Sequence, residues 1–337
     1  MQALITAPFH PKGLAMLEGK VGVRLAGWGL TGKSLEREEL IRAIDGVDVV
    51  VSEMEQIDGE VLARCPGLRA VGSTRGTPTN VDVPACTEAG IPVIFTPGRN
   101  AQSVAELTIA LAICLSRKVL EAARYVTAGQ WVEDDMLSYV RFRGQELCGR
   151  TMGIVGFGAI GQKVARLARA FSMDVLVFDP YVSVSDVSSA ECRVVDLPTL
   201  LSLSDFVTLH CPANPHTQGL IGERELSYMK KSAYLINTSR GSVVDERALA
   251  RALSGGLIAG AALDVFSEEP LPAGHAFEGL ENVVLLPHIG GATHDVVYHH
   301  SIAMAEDLLA LARGARPKNL YNQEVYSGKE ARPCPSL

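Results

Sequence analysis

The stretch TMGIVGFGAIGQKVARLARAFSMDVLVFD, residues 151–179, decides the fold of this chain. Short apolar runs at Met152–Val155 and Val175–Phe178 predict two strands. Between them, apolar residues recur at helical spacing over Ile160–Phe171, which predicts an amphipathic helix. The order strand, tight turn, helix, strand is that of one βαβ unit in a parallel sheet.

Three glycines in the turn form the pattern G-x-G-x-x-G at Gly156, Gly158 and Gly161. Gly156 allows the sharp turn, Gly158 lets backbone amides approach a pyrophosphate, and Gly161 lets the helix pack close to the sheet. The helix N-terminus supplies free N–H groups and a partial positive charge for the phosphates. Asp179 ends the second strand, where its carboxylate can accept both hydroxyls of the adenosine ribose and would repel a 2′-phosphate. We therefore predict a dinucleotide site that prefers NAD to NADP.

The composition is that of a globular protein with more than one domain. For 337 residues, two domains are the default expectation. A formal net charge of −7 argues against a general nucleic-acid or anionic-membrane partner. The apolar run Leu107–Leu115 is too short to span a bilayer, and the N-terminus lacks the pattern of a signal peptide. Seven scattered cysteines without C-x-x-C are typical of free thiols, so a reducing cytoplasm is the expected location.

Residues 1–99 alternate between strand and helix patterns, which indicates a small α/β domain with a mostly parallel sheet. The predicted strands are Gln2–Thr6, Val21–Leu25, Val47–Val51, Leu68–Gly72 and Pro92–Phe95, and helical patterns cover Ser34–Ile44 and Gly59–Cys65. A long helix is predicted over Ser103–Leu120, with Ser103 as its N-cap and Glu106 completing a capping box. Because this helix is apolar nearly all round, we expect it to be buried on several sides.

The nucleotide-binding unit continues past Asp179 with more strand patterns. They lie at Asp205–Leu209, Ala233–Ile236, Ala259–Leu263 and Asn282–Leu286, with a helix at Asp245–Leu253. This series predicts a doubly wound sheet. A final amphipathic helix is predicted over Thr293–Arg313, and the Pro- and Gly-rich residues from Gly314 to Leu337 are expected to be extended or loose.

The sequence therefore predicts an α/β protein of two Rossmann-like doubly wound domains. A dinucleotide-binding domain at residues 100–289, which includes the long helix, is inserted into a discontinuous flavodoxin-like substrate domain. That substrate domain comprises residues 1–99 and 290–325. Residues 326–337 are expected to form a loose tail.

Chemically versatile residues follow the predicted strands of the nucleotide-binding unit, at the edge where doubly wound sheets bind ligands. An arginine can grip a carboxylate with two hydrogen bonds, and a histidine can give or take the proton of a carbinol oxygen. An acid beside the histidine would raise its pKa and keep it available as a proton donor. The combination is typical of hydride transfer. The residues after the strands are His210, Cys211 and Pro212, then Arg240, then Asp264, and finally His288.

Five blocks resemble the D-isomer-specific 2-hydroxyacid dehydrogenase family, in its phosphoglycerate dehydrogenase-like branch, over roughly residues 45–320. They are PGRNAQSVAELT at Pro97–Thr108, GFGAIG at Gly156–Gly161, INTSRGSVVDE at Ile236–Glu246, LDVFSEEP at Leu263–Pro270 and PHIGGAT at Pro287–Thr293. The resemblance implies NAD-dependent interconversion of a D-2-hydroxy acid and its 2-oxo acid. It also implies domain closure over the cofactor, and a homodimer built on the helix from Ser103 and the polar excursion after it.

Matched position by position, the resemblance implies three catalytic residues. Arg240 would bind the substrate carboxylate and carbonyl, His288 would transfer the proton, and Glu269 would be the acid paired with His288. Asp264 would hold the nicotinamide carboxamide, and Asn100 would lie at the interdomain substrate pocket. The predicted cofactor-binding residues are Gly156, Gly158, Ala159, Ile160, Gly161, Asp179, Cys211, Pro212, Thr217, Thr238, Ser239, Asp264, His288 and Gly290.

Two departures from the family pattern concern the substrate. Many relatives have a small glycine-flanked loop where this chain has TRGTP at residues 74–78. We therefore predict that Arg75 and Gly76 bind substrate, with Arg75 contacting a second anionic or polar group. Phosphoglycerate dehydrogenases carry an arginine for the phosphate where an ungapped comparison places Ser52, which weakens 3-phosphoglycerate as a candidate substrate.

Two other functions compete with this enzyme. The stretch GWGLTGKS at Gly27–Ser34 matches the phosphate loop of nucleotide hydrolases. Its bulky Trp28 and Leu30 argue against a loop of amides around a phosphate, and Ser34 is expected to cap a helix instead. The other alternative is a non-catalytic, corepressor-like NAD sensor on the same scaffold, which would have no need of a proton donor.

The remaining histidines and cysteines predict no further chemistry. His294, His299 and His300 lack the spacing of a zinc site, so no metal is predicted and we expect these side chains at the surface or an interface. Cys211 has no neighbour in the sequence that would stabilise a thiolate.

Overall fold

The computed structural model describes residues 1–132, 136–183, 185, 187 and 190–326. The chain divides into two compact units. The first comprises Met1–Asn100 and the described residues from Thr293 onward, and the second comprises Ala101–Ala292.

The first unit is built on a parallel five-stranded sheet in the order β2-β1-β3-β4-β5. This is the flavodoxin-like order, as predicted. Strands β3 and β4 are buried along their whole length, which explains their continuous apolar sequences. The strands are β1 Gln2–Ile5, β2 Gly22–Leu25, β3 Val49–Ser52, β4 Ala70–Ser73 and β5 Val93–Ile94. The helices between them are α1 Pro11–Leu17, α2 Trp28–Thr31, α3 Arg37–Ile44, α4 Gly59–Arg64 and α5 Val83–Glu88.

The second unit contains a parallel seven-stranded sheet in the order β12-β11-β10-β9-β6-β7-β8. The strands β7 and β8 lie on one side of β6, and the later strands β9 to β12 lie on its other side. This change of direction at β6 is the Rossmann arrangement that the glycine pattern predicted. The strands are β6 Thr151–Val155, β7 Asp174–Phe178, β8 Arg193–Val194, β9 Phe206–Leu209, β10 Tyr234–Asn237, β11 Gly260–Leu263 and β12 Val283–Leu285. The helices are α6 Ala101–Ser116, α7 Val119–Thr127, α8 Leu137–Arg141, α9 Ala159–Ala170, α10 Leu197–Leu203, α11 Glu223–Tyr228 and α12 Glu246–Ser254.

The predicted start of the long helix was wrong. Helix α6 begins at Ala101, so Ser103 lies inside its first turn, and the Ser103 hydroxyl donates a 2.5 Å hydrogen bond to the Gly290 carbonyl instead of capping. The helix also ends earlier than predicted. Lys118 has a left-handed backbone, with φ of 51°, and separates α6 from α7.

The chain returns to the first unit through helix α13, His294–Ala312, which packs against α1. Thr293 caps its N-terminus by accepting a hydrogen bond from the Val296 amide. Beyond it, the chain runs antiparallel to β5, with hydrogen bonds from Phe95 N to Asn319 O and from Tyr321 N to Val93 O. This part of the expected loose tail is therefore fixed on the sheet, whereas residues 327–337 lie outside the described residues.

The stretch that resembles a phosphate loop has a different structure and a different partner. Trp28–Thr31 forms a short helix, and the amides of Trp28 and Leu35 both donate to one oxygen of the buried Glu55 carboxylate, at 3.2 and 3.3 Å. A carboxylate of the protein thus occupies these amides, and it would repel a phosphate. Ser34 does not cap a helix, because Glu36 is the N-cap of α3 and forms a capping box with Glu39.

In the part of the chain that the structure describes, no helix is both long and apolar enough to cross a bilayer.

Candidate active site

The glycine turn between β6 and α9 is shaped to receive a charged group. Helix α9 has Gly158 as its N-cap, so no side chain bonds to its first amides. A Cβ added at Gly158 would meet no atom within 4 Å, whereas one at Gly161 would collide with the carbonyl oxygen of Gly156. Gly161 is thus required by packing, and Gly158 faces open space beside free amides. This cradle fits a pyrophosphate.

Asp179 is fixed at the end of β7 by two backbone amides. Its Oδ2 accepts a 2.8 Å hydrogen bond from Phe157 N in the glycine turn, and its Oδ1 accepts one of 2.9 Å from Tyr181 N. The carboxylate is therefore oriented by the protein backbone. Each of its oxygens keeps a lone pair for a ribose hydroxyl.

Three of the other predicted cofactor residues after β9 and β10 are held by hydrogen bonds within the second unit. The Thr217 hydroxyl donates to the Pro212 carbonyl at 2.6 Å, the Thr238 hydroxyl lies 3.2 Å from that of Thr108, and Ser239 N donates to the Asn237 side chain at 3.0 Å. Burial raises the pKa of the Cys211 thiol to about 11. The thiol therefore stays protonated at neutral pH and does not serve as a nucleophile.

His210, which follows β9, has a neutral buried ring. Burial lowers its pKa to about 3, and its Nε2 lies 2.9 Å from the Thr208 hydroxyl. Its Nδ1 is buried without a hydrogen-bond partner among the described residues. The sequence did not indicate this orphaned atom.

His288 and Glu269 form a hydrogen-bonded pair. His288 Nδ1 lies 2.7 Å from Glu269 Oε2, and the two side chains are 49% and 36% exposed. The other carboxylate oxygen of Glu269 accepts from Phe266 N at 2.9 Å. Burial raises the pKa of Glu269, but the hydrogen bonds from His288 and Phe266 and the nearby charges of His288 and Arg240 outweigh it, so the net pKa is lowered.

Asp264 fixes the backbone next to His288. Its Oδ1 accepts from Ile289 N at 2.8 Å and its Oδ2 accepts from Gly290 N at 2.7 Å. His288 itself has a left-handed backbone with φ of 54°, a conformation that costs energy for a residue with a side chain. The buried Asp264 carboxylate therefore holds a strained turn that presents the imidazole, a role that sequence reasoning missed.

Arg240 follows β10 and has an exposed side chain. Its Nη1 donates to the Ser239 carbonyl at 2.6 Å, and its own carbonyl accepts from the Asn237 amide group at 2.9 Å. A Cβ at Gly241 would collide with the Phe266 carbonyl, so only glycine lets the Arg240 segment pack on the segment that carries Glu269. This close approach places the guanidinium charge near the histidine–carboxylate pair.

In the first unit, Arg75 and Gly76 follow β4, and Asn100 ends the segment after β5. The Arg75 guanidinium donates from Nε to the Glu53 carbonyl at 2.7 Å and from Nη1 to the Thr79 hydroxyl at 2.9 Å. Gly76 is exposed and Asn100 is partly exposed.

The prediction that His300 lies at the surface or an interface was wrong. It is completely buried within the first unit, where Arg99 donates to its Nδ1 at 2.8 Å and its Nε2 donates to the Pro8 carbonyl at 2.8 Å. His294 and His299 are exposed, as expected. Among the described residues, no group of three His, Cys, Asp or Glu side chains could hold a metal ion.

Comparison with known proteins identifies the family. The model described as "D-isomer specific 2-hydroxyacid dehydrogenase, NAD binding domain" matches residues 109–290, more than half of the chain. The chain belongs to the D-isomer specific 2-hydroxyacid dehydrogenase family. The protein is therefore an NAD(P)-dependent oxidoreductase of 2-hydroxy and 2-oxo acids, and the residues matched contain the glycine turn, Asp179 and the His288–Glu269 pair.

Relatives of this dehydrogenase carry several names. A glyoxylate reductase from Thermococcus litoralis is 38% identical over 326 residues, covering 96% of this chain and 97% of that one. A D-3-phosphoglycerate dehydrogenase from Methanocaldococcus jannaschii is 36% identical over 324 residues, covering 96% of this chain and 59% of that one. The crystal structure of a D-isomer specific 2-hydroxyacid dehydrogenase from Lactobacillus delbrueckii ssp. bulgaricus, in its NAD complexed form, is 25% identical. Its TM-score is 0.79, with 96% of this chain and 100% of that one covered.

The local structure of this dehydrogenase shows supporting contacts that no motif indicated. Asp264, Gly241 and the buried Arg99–His300 contact hold other residues in place. Their partners are distant in the chain, and a short sequence pattern carries no signal for such pairs.

Proposed function

We propose that this dehydrogenase interconverts a D-2-hydroxy acid and its 2-oxo acid with NAD(H), and that His288, Glu269 and Arg240 carry the catalysis. The observation that carries the proposal is the 2.7 Å contact between His288 Nδ1 and Glu269 Oε2. A hydrogen-bonded imidazole and carboxylate beside an exposed arginine suit proton transfer to an oxygen of a bound acid.

The proton step follows from how the pair is bonded. Since Nδ1 of His288 is bonded to Glu269, Nε2 is the ring nitrogen that gives its proton to the alkoxide formed at C2. The Glu269 carboxylate stabilises the protonated ring until the transfer. In the reverse reaction, neutral Nε2 removes the proton of the C2 hydroxyl.

Arg240 binds the substrate carboxylate and polarises the C2 carbonyl. One of its nitrogens donates to Ser239, which leaves other donors of the guanidinium for the substrate. The dinucleotide, when bound, supplies the hydride for C2. The amides of the glycine turn would hold its pyrophosphate and Asp179 its adenosine ribose, which favours NAD over NADP because a 2′-phosphate would meet a fixed carboxylate.

The substrate is a small acid, and the relatives named glyoxylate reductase support a short 2-oxo acid. We propose that Arg75, Gly76 and Asn100 contribute to its binding. Ser52, with its hydroxyl bonded to the Glu55 carbonyl at 2.9 Å, offers no positive charge for a phosphate.

A homodimer is proposed as the functional assembly. Exposed apolar side chains are concentrated in the segment from α7 to α8: Val119, Leu120, Val126, Trp131, Val132, Met136, Leu137, Tyr139 and Val140. Such a concentration is typical of an interface. The cytoplasmic location stays a prediction from the cysteine pattern.

The testing experiment is NADH oxidation with glyoxylate, hydroxypyruvate, phosphohydroxypyruvate, longer sugar-acid analogues and phenylpyruvate, with NADPH in parallel. Turnover of at least one substrate with NADH preferred is the expected result. Binding of NADH without turnover of any 2-oxo acid would contradict the proposal and favour the NAD-sensor alternative.

A further inference from the structure

A cavity of about 630 Å³ lies at the amino edge of the sheet of the first unit. Small-molecule sites have volumes of this size. The residues that line the cavity include Leu68 and Arg69, just before β4, and Pro92, just before β5. The residues proposed to bind substrate follow the opposite, carboxyl ends of these strands. This amino-edge cavity is therefore not part of the proposed substrate site.

One wall of the amino-edge cavity is formed by residues 313–326, which follow α13 and are held on the sheet by buried polar side chains. Asp307 Oδ1 accepts a 2.7 Å hydrogen bond from the amide of Lys318. Asn322 Oδ1 accepts one of 2.7 Å from the amide of Val93 at the start of β5. The wall is thus a fixed part of the folded first unit.

The charge of the lining is positive. Among the described residues that line the cavity there are two arginines, Arg69 and Arg316, and no aspartate or glutamate. Arg316 Nη2 donates to Gln323 Oε1 at 3.4 Å, and the guanidinium lies 5.6 Å from the ring centre of Tyr326. An amide and an aromatic ring hold this guanidinium without neutralising its charge. In a chain with a formal net charge of −7, the cavity is a place that favours an anion.

Two helix ends also line the cavity, and the partial negative charge of a helix C-terminus opposes an anion. At both ends, amides that follow the helix bond to carbonyl groups of its last turn. Ala315 N donates to the Ala310 carbonyl after α13, and Ile91 N donates to the Cys86 carbonyl after α5, both at 2.8 Å. The full charges of the two arginines therefore outweigh the partial charges of the helix ends.

The cavity also has apolar walls. Leu68, Leu311 and Val325 line it together with the partly buried ring of Tyr326. Burial raises the pKa of Tyr326, although the charge of Arg316 opposes this. The Tyr326 hydroxyl is therefore protonated at neutral pH and can donate a hydrogen bond. Apolar surface beside two cations suits a ligand with both kinds of group.

We propose that the amino-edge cavity binds an amphipathic organic anion, whose carboxylate contacts Arg69 and Arg316 and whose flat apolar ring system lies against the apolar walls. A guanidinium binds a carboxylate with two parallel hydrogen bonds, and a flat ring can pack on the ring of Tyr326. The dinucleotide is expected in the second unit and the substrate at the other edge of the sheet. The ligand is therefore a third molecule, and the inference does not depend on the proposed function.

Indole-3-carboxylate and indole-3-carboxamide test the proposal, because they share one ring system and differ in charge. The full chain is titrated with each compound by calorimetry, with saturating NADH present to occupy the dinucleotide site. We expect one molecule of the acid to bind per chain, and the amide to bind at least about 10-fold more weakly. This comparison uses the wild-type chain, so it remains valid if a variant fails to fold.

The variants Arg316→Gln and Arg69→Gln each remove one charge from the cavity. We expect each to weaken binding of the acid by about 5- to 10-fold and to leave binding of the amide nearly unchanged. Arg313→Gln is the matched control, because Arg313 is an exposed arginine at the end of α13 that does not line the cavity. It should bind the acid as wild type does.

Three results would overturn the proposal. They are equal affinity for the acid and the amide, binding of the acid that neither Arg316→Gln nor Arg69→Gln weakens, and no binding by the full chain. Binding that appears only in a chain shortened to end at Tyr326 would assign the cavity to residues 327–337 instead. Each of these results leaves the proposed function intact, since no residue of the cavity takes part in the proposed reaction.

Discussion

Nδ1 of His288 lies 2.7 Å from Oε2 of Glu269, although the two residues are 19 positions apart in the chain. Backbone amides fix the pair from both sides, because Phe266 N holds the second oxygen of Glu269 and Asp264 holds the amides that follow His288. The geometry of the pair is therefore set by backbone contacts within the folded second unit.

The first prediction concerns His288 as the proton donor. His288→Ala should lower kcat by about 10²- to 10⁴-fold, because proton transfer by a positioned side chain contributes this much. NADH affinity, measured by fluorescence titration, should change little. His294→Ala, at an exposed histidine six positions later, is the control and should resemble wild type. A comparable loss of NADH affinity in His288→Ala would contradict the assignment.

The second prediction concerns the choice of dinucleotide. Asp179→Asn keeps an oxygen for the Phe157 amide but removes the charge that would repel a 2′-phosphate. We expect the NADPH-to-NADH ratio of kcat/KM to rise by about 10-fold, the size of one lost charge contact. Asp174→Asn, at the exposed start of the same strand, should leave the ratio unchanged. An unaltered ratio in Asp179→Asn would show that Asp179 does not select the cofactor.

The third prediction is a loss of stability in acid caused by His300. Burial, with the positive charge of Arg99 opposed by the Pro8 carbonyl and Glu53, lowers the pKa of His300 to about 4. A depressed pKa means that the unfolded chain binds the proton more tightly, so stability is full above pH 6.5 and is lost as pH falls towards 4. The loss should be on the order of 3 kcal/mol for a depression of this size.

Urea unfolding of wild type and His300→Gln between pH 7.5 and 4 measures this loss. The free energy of unfolding of His300→Gln should be lower than that of wild type at neutral pH but should fall less towards pH 4. The free energy of unfolding of His299→Gln, a variant of the exposed neighbour, should fall with pH as it does in wild type. The pKa of His210 is also lowered, so His210 adds the same loss of stability in acid to all three proteins, and its contribution cancels when they are compared. Parallel curves for wild type and His300→Gln would refute the contribution of His300.

The fourth prediction concerns the exposed apolar segment from α7 to α8. Light scattering after gel filtration should give wild type about twice the 36.0 kDa chain mass. The double variant Tyr139→Asp, Val140→Asp should shift the mass towards one chain, because two charges in an apolar interface are costly to desolvate. Leu203→Asp, at an exposed leucine elsewhere in the same unit, should have the same mass in solution as wild type. A wild-type mass of one chain would rule out the dimer.

The sequence by itself determined the fold class and most elements, because the responsible signals are local. Apolar runs bounded by glycine, proline and polar residues predicted the strands to within two residues, except for the short β8, which was not predicted. The glycine pattern with Asp179 predicted a dinucleotide site. The start of α6 was missed since Ser103 and Glu106 imitate a cap that Ala101 makes unnecessary by starting the helix earlier. The phosphate-loop pattern, which we rejected for its bulky Trp28 and Leu30, shows the same limit of a local signal. Glu55, whose carboxylate accepts hydrogen bonds from its amides, lies 20 positions beyond Leu35.

Tertiary structure decided how the candidate site residues are held. No motif placed Asp264 on the amides after His288, required Gly241 against Phe266, or buried His300 behind Arg99 and Glu53. These contacts join residues from separate strand ends and helices, and their energy comes from burial and from hydrogen bonds that exist only once the parallel sheets have formed. A sequence pattern specifies which groups are available, while packing specifies which of them meet.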